Sequence, residues 1–178
     1  MTIWFTSDTH FEHAAIIKYC NRPFADVTSM NEHLVQRWNM WVKPSDIVVH
    51  TGDVGMGNYL NAEPFLSRLS GRKVLCAGNH DSKNYRRLVS SLGWFVMNEL
   101  VVNDTLIRHY PLQMNECCDD WELVVHGHSH GQLIAAKHID VGVDGSRGVF
   151  NEYGPVEASA VLRNHTLFAL RLILDNLV

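Results

Sequence analysis

The order of apolar and amphipathic segments predicts a layered α/β fold for this 178-residue chain. Three observations carry that expectation. Short runs rich in β-branched residues at 2–7, 46–50 and 73–77 read as buried strands. Segments fitting helices follow each of them, giving the order βαβαβα of a sheet covered by helices. Each strand also runs out into polar side chains, at the carboxyl edge where open α/β sheets bind ligands.

The first strand ends in Asp8-Thr9-His10. In an extended segment, residues i and i+2 point the same way, so Asp8 and His10 can grip one ion together. Residues 13–19 fit a short helix with Ile16 and Ile17 inward, broken by Cys20 to Phe24. Ser29 and Glu32 have the spacing of a capping box. The helix beginning there carries Met30, Leu34, Trp38 and Trp41 at intervals of three and four, a core stripe, and Pro44 ends it. The second strand opens into a loop holding Gly52, Gly55 and Gly57 around Asp53; no Gly-Lys-Ser/Thr follows, so it is not a phosphate loop of the Walker kind. Residues 61–70 fit a helix with Gly71 past its end.

The third strand leads into Gly78-Asn79-His80-Asp81, where a glycine permits the turn and three polar groups follow. Residues 82–92 fit a helix stopped by Gly93. Two strands at 94–102 and 105–109 form a hairpin through Asn103-Asp104, ending at His109. Residues 114–120 are polar and acidic and read as a surface loop. A strand at 123–125 leads into His126-Gly127-His128-Ser129-His130, and another at 138–143 into a loop with Gly142, Gly145 and Gly148. Residues 155–162 fit a short helix, and 166–174 a final strand with partial alternation. No repeat, low-complexity tract or internal boundary appears, so a single domain over 1–178 is expected.

Composition narrows the classes. Apolar residues make up 46% and charged residues 19%, the proportions of a soluble globular protein. A net charge of −4 argues against an extensive nucleic-acid surface, and Arg86-Arg87 and Arg72-Lys73 read as solvated faces. The four cysteines include no CxxC pair, and Cys117-Cys118 reads as a plain loop pair, so a reduced, cytoplasmic setting is expected. The N-terminus lacks the basic and apolar regions of a secretion signal, and no apolar run is long enough for a membrane span.

Eleven histidines remain to be explained. Together with carboxylates and an amide at strand ends, they form the set Asp8, His10, Asp53, Asn79, His80, Asp81, His109, His126, His128 and His130. Carboxylate and imidazole without thiolate suit Mn, Fe, Zn or Co. The number of donors exceeds what one ion with an open position needs and fits two ions sharing a carboxylate. His126, His128 and His130 share parity, so spacing leaves open which of them are ligands. His13 and His50 read as packing or supporting residues.

The order Asp8-x-His10, Gly52-Asp53, Gly78-Asn79-His80-Asp81, His109, Gly127-His128-x-His130 resembles the calcineurin-like metallophosphoesterase superfamily. Asp8-Thr9-His10-Phe11-Glu12-His13, Arg22-Pro23-Phe24 and the short chain resemble its small stand-alone bacterial and phage members. The resemblance implies a four-layer α/β/β/α sandwich with mixed sheets and a two-metal site at the strand ends. It implies one ion on Asp8, His10, Asp53 and His130, and another on Asp53, Asn79, His109 and His128, with Asp53 bridging. The ions are expected to be two divalent cations, Mn foremost, with Fe, Zn, Ni or Co as alternatives. His126 then falls to a supporting role. Hydrolysis of a small phosphoester, a nucleotide among the candidates, would proceed by attack of metal-bound hydroxide, with His80 as general acid steadied by Asp81. Arg22 is offered as a phosphate anchor, since a guanidinium binds phosphate bidentately. The Arg that follows Gly-Asp in the Ser/Thr protein phosphatases is missing, so protein phosphatase activity is not expected. A nuclease or cyclic-nucleotide phosphodiesterase is the enzymatic alternative, and a non-catalytic metal-binding scaffold the alternative of another class.

Overall fold

In the computed structural model, which describes residues 1–112 and 120–177, the strands form two mixed sheets. In the first, β1 (Ile3–Thr6), β2 (Ile47–His50), β3 (Arg72–Cys76) and β4 (Phe95–Met97) run parallel, and the two-residue β9 (Val156–Glu157) pairs antiparallel with the free side of β1. In the second, β5 (Glu99–Val102) is antiparallel to β6 (Thr105–Arg108), while β6, β7 (Leu123–His126) and β8 (His138–Asp140) are parallel.

Period-two alternation divides the first sheet between two cores. Ile3, Phe5, Ile47, Val49, Val74 and Cys76 meet Leu100, Val102, Ile107 and Val125 of the second sheet. Trp4, Val48 and Leu75 point the other way, toward α1 (Ala14–Tyr19), α2 (Val27–Trp41), α3 (Tyr59–Leu66) and α4 (Lys83–Ser91). Both faces are buried, which is why these strands read as unbroken apolar runs. A register slip of one residue would exchange the two cores. This is the layered fold with mixed sheets that the sequence led us to expect.

Several elements differ from expectation, each for a physical reason. The run at 94–102 is two strands: β4 belongs to the first sheet and β5 to the second, so the chain changes sheets at Asn98. Continuous hydrophobicity concealed that switch. Helix α2 starts at Val27, capped by Asp26, whose carboxylate accepts the Ser29 N–H at 2.7 Å. Ser29 is therefore the third helical residue, and Glu32 lies inside the helix, paired with Arg68. Trp41, placed in the core stripe, is 42% exposed, with its ring 6.3 Å from that of Trp4. The glycine loop contains a short helix, α5 (Ser146–Phe150). Residues 155–162 form β9 and a 3-10 turn, Ala158–Ala160, rather than a helix.

The predicted final strand is a helix, α6 (Asn164–Leu177). Its buried residues Thr166, Leu170 and Leu174 recur every four positions, while Phe168 and Leu172 are exposed. Arg171 donates to Met1 O and Arg72 to Asp175, which fixes α6 at the amino-terminal ends of β1 and β3. It closes the inter-sheet core at the end away from the polar strand termini. The acidic loop and the Cys117-Cys118 pair lie outside the described residues, apart from Asp120. No helix among the described residues is long and apolar enough to cross a membrane.

Candidate metal centre

The carboxyl ends of β1, β2, β3, β6 and β7 carry Asp8, Asp53, Asn79, His109 and His128 into one region. Backbone hydrogen bonds knit the loops: Asp8 N–H donates to Gly52 O at 2.9 Å and His10 N–H to Asp53 O at 3.1 Å. Asp8 and His10 do not present their side chains from extended backbone, as parity suggested. Both take left-handed φ, 55° and 52°, as do Asp53 (56°), His128 (64°) and His130 (47°). Such values are uncommon outside glycine and concentrate at functional sites. Gly127 allows the closest approach: a Cβ there would overlap Ser7 Oγ and the Asp8 carboxylate.

Two donor groups result. Asp8, His10 and His130 form one, and Asp53, His109 and His128 the other. His10 Nε2 stands 3.9 Å from Asp8 Oδ1 and 3.7 Å from Asp53 Oδ2; His130 Nε2 is 3.8 Å from Asp8 Oδ1. These spacings are too long for hydrogen bonds. Asp8 Oδ1 and His10 Nε2 are buried without any partner, which is costly for polar atoms unless something else satisfies them. Two ligands held at roughly 2.0–2.2 Å from one ion have about this separation, so the donor set fits divalent cations. In the second group, His109 Nδ1 lies 2.9 Å from Thr51 O and so carries a proton. His109 Nε2, 3.4 Å from Asp53 Oδ2 and 3.0 Å from Asn79 Oδ1, faces acceptors. His128 Nδ1 is 3.1 Å from the same Asn79 oxygen.

Burial pushes the Asp8 carboxyl up to about 7 and the His10 imidazole down to about 2. Burial would also raise Asp53, but hydrogen bonding and charge from His109 bring it down to about 2. Desolvation thus sets Asp8 and His10, whereas the His109 partner sets Asp53, and groups perturbed in this way gather at functional sites.

His80 is partly exposed; its backbone N–H donates to Asp53 Oδ1 at 2.8 Å and its Nε2 lies 4.0 Å from Asp53 Oδ2. Asp81 does not steady its ring. The Asp81 carboxylate is buried and accepts the N–H groups of Asp53, Val54 and Gly78 at 2.7–2.9 Å, bracing two loops. Arg22 is likewise no phosphate anchor. It is buried, gripping Asp144 through Nε at 2.8 Å and Nη2 at 2.7 Å, and donating to Asp8 O and Thr9 O. His126, the last residue of β7, is buried against His138 outside both donor groups. His50 accepts Gly52 N–H on Nδ1, so its Nε2 proton faces the Thr9 hydroxyl at 3.0 Å. His13 packs beside His10.

Asp144 was missed. It accepts His130 Nδ1–H at 2.8 Å while paired with Arg22, and with Cys20 and His130 it makes up a third set of potential ligand atoms among the described residues. Such carboxylates fix the orientation and tautomer of a metal-binding histidine. The rule that acids at strand ends matter, applied to the loop after β8, would have found it.

A family model described as calcineurin-like phosphoesterase matches residues 1–128. The chain belongs to the calcineurin-like phosphoesterases. As such it is a metal-dependent phosphoric ester hydrolase. An uncharacterized protein of Methanocaldococcus jannaschii is 38% identical over 141 residues, 78% of this chain and 72% of that protein. The gene 66 protein of Mycobacterium phage L5 is 27% identical, spanning 79% of this phosphoesterase and 86% of the phage protein. Among solved structures, a protein of unknown function from Aquifex aeolicus superposes with a TM-score of 0.69 at 23% identity, over 90% of this chain and 97% of that one. The Pseudomonas putida nuclease MPE gives 0.50 at 20% identity, over 72% and 61%. Both share its fold. The matched segment stops at His128, before His130 and Asp144.

Proposed function

We propose a dinuclear phosphoesterase in which Asp8, His10, Asp53 and His130 hold one divalent cation and Asp53, Asn79, His109 and His128 the other. Mn is the first candidate, with Fe, Zn, Ni and Co as alternatives. One observation carries the reading: Asp53 Oδ2 reaches both donor groups, 3.7 Å from His10 Nε2 and 3.4 Å from His109 Nε2. Bound cations would neutralise phosphate charge and make water more acidic. The chain's own residues supply the rest. Asn79 offers a neutral oxygen, which limits the negative charge around the ions. Asp81 holds the Asp53 and Gly78 loops in register. His80, tied through its backbone to Asp53 with its ring open to solvent, is positioned to give a proton to the departing oxygen. Small phosphodiesters or phosphomonoesters, nucleotides included, are the substrates.

The test combines elemental analysis with turnover of bis(p-nitrophenyl) phosphate and p-nitrophenyl phosphate under each of the five metals. Two metal equivalents and hydrolysis are expected. A single equivalent at saturation would sink the dinuclear assignment. Bound metal with neither ester cleaved would favour a non-catalytic scaffold.

A further inference from the structure

Helix α4 follows the His80 loop directly and carries Lys83, Arg86 and Arg87, all exposed. These cations line an open trough of about 650 Å³ that begins at Asn79, one of the proposed ion ligands, and ends at Ser90. A second hollow of about 370 Å³ shares Asn79 and Arg86 and continues to His109 and Tyr110. Arg86 thus stands between two depressions that meet at the ion site, its Nε anchored to Asp81 O at 2.7 Å.

The placement works against the helix. Lys83 and Arg87 are four residues apart and Lys83 and Arg86 three, spacings at which like charges repel. Lys83 opens the helix, whose first turn holds no acid, although the macrodipole favours negative charge there. Among the described residues no carboxylate pairs with any of the three. The surrounding protein is acidic, with a net charge of −4, so the cluster is a local exception and not a reflection of bulk composition. An uncompensated cationic strip that starts at a phosphate-cleaving centre is complementary to further phosphate.

We propose that the substrate carries at least one phosphate beyond the one cleaved, and that this chain of phosphates lies along α4 against Lys83, Arg86 and Arg87. This rests on the phosphoesterase reading above. From Ser82 to Ser90 the helix rises about 12 Å, room for more than one phosphate past the ion site. Two sources share that chemistry: a single-stranded oligonucleotide and a nucleoside polyphosphate. The trough lining, which also includes Asp81 with its carboxylate turned to backbone amides, has no aromatic face for a base, so recognition is of phosphate.

The experiment compares the metal-loaded enzyme with Lys83→Gln/Arg87→Gln on esters sharing one leaving group. These are bis(p-nitrophenyl) phosphate, the p-nitrophenyl ester of a short oligothymidylate, and the γ-p-nitrophenyl ester of a nucleoside triphosphate. KM for at least one multi-phosphate ester should rise on the order of tenfold in the variant, with kcat retained. The salt slope of log KM for the oligonucleotide should fall by about 1.4. The single-phosphate ester should be unchanged, and Lys83→Arg/Arg87→Lys should restore wild-type values. Whichever multi-phosphate ester responds identifies the source. An equal change on all three esters, or no change on any, overturns the proposal while leaving the hydrolase intact. Failure of wild type to cleave any ester with ions bound would instead overturn the reading beneath it.

Discussion

His80 and Asp144 border the same cluster and call for opposite experiments. In the proposed mechanism His80 contributes through its ring, so His80→Ala should leave metal content unchanged and lower turnover about 10²–10⁴-fold. The loss should be larger for alkyl esters than for p-nitrophenyl esters, whose leaving group needs a proton less; equal losses on both would remove the proton-donor role. Asp144 acts through His130 and Arg22. Burial alone would raise its carboxyl, but the His130 hydrogen bond and the Arg22 guanidinium hold it down at about 2, against an ordinary 3.8. A depressed acid stabilises the fold above its unfolded value and loses that contribution as pH falls through the folded one. In the ion-free protein this is worth about 2 kcal/mol near neutrality. Urea titrations of wild type and Asp144→Asn should therefore differ above pH 4 and converge as pH drops toward 2. A gap independent of pH would mean that the Arg22–Asp144–His130 chain does not carry the effect.

Among the elements, α6 shows what pattern reading can mistake. Residues 166–174 form an apolar run broken inside only by Arg171, with partial alternation that suggested a strand. The structure buries only Thr166, Leu170 and Leu174 of this run, the set compatible with a turn of 3.6 residues. Leu170→Ala should cost about 2–5 kcal/mol, read from a denaturant midpoint, with turnover per folded molecule unaltered because α6 lies at the far end of the strands. Helix α2 offers a second case. Ser29 has the chemistry of a cap, but Asp26 caps the helix by accepting the Ser29 N–H, while Ser29 Oγ accepts the Asp26 N–H in return, and spacing alone did not rank the two.

Across the whole molecule, the clustering of the proposed donors was legible because each follows a short apolar strand, and β1, β2, β3, β6 and β7 all run in the direction that delivers their ends to one edge. Less legible were roles that depend on orientation. Asp81 turned its carboxylate to backbone amides, and Arg22 turned inward to Asp144; neither direction is encoded in residue type. Asp144 escaped notice because its partners are 14 and 122 positions away. If cations fill the two donor groups, removing them should cost stability as well as activity. At a hundredfold excess over the dissociation constant, binding is worth about 2.7 kcal/mol, so chelation should lower the melting temperature by about 5–10 °C, with recovery on adding Mn. An unmoved transition would argue against buried ion sites.

The clasp between Arg22 and Asp144 also sets a schedule for biosynthesis. A ribosome extrudes the guanidinium, along with Asp8 and His10, long before its carboxylate partner is translated, so the early loop emerges untied. His130 and Asp144 appear only after every other donor. On the proposed dinuclear reading, the ligand set of Asp8, His10, Asp53 and His130 therefore closes late, and a nascent chain arrested before residue 130 would hold it incomplete.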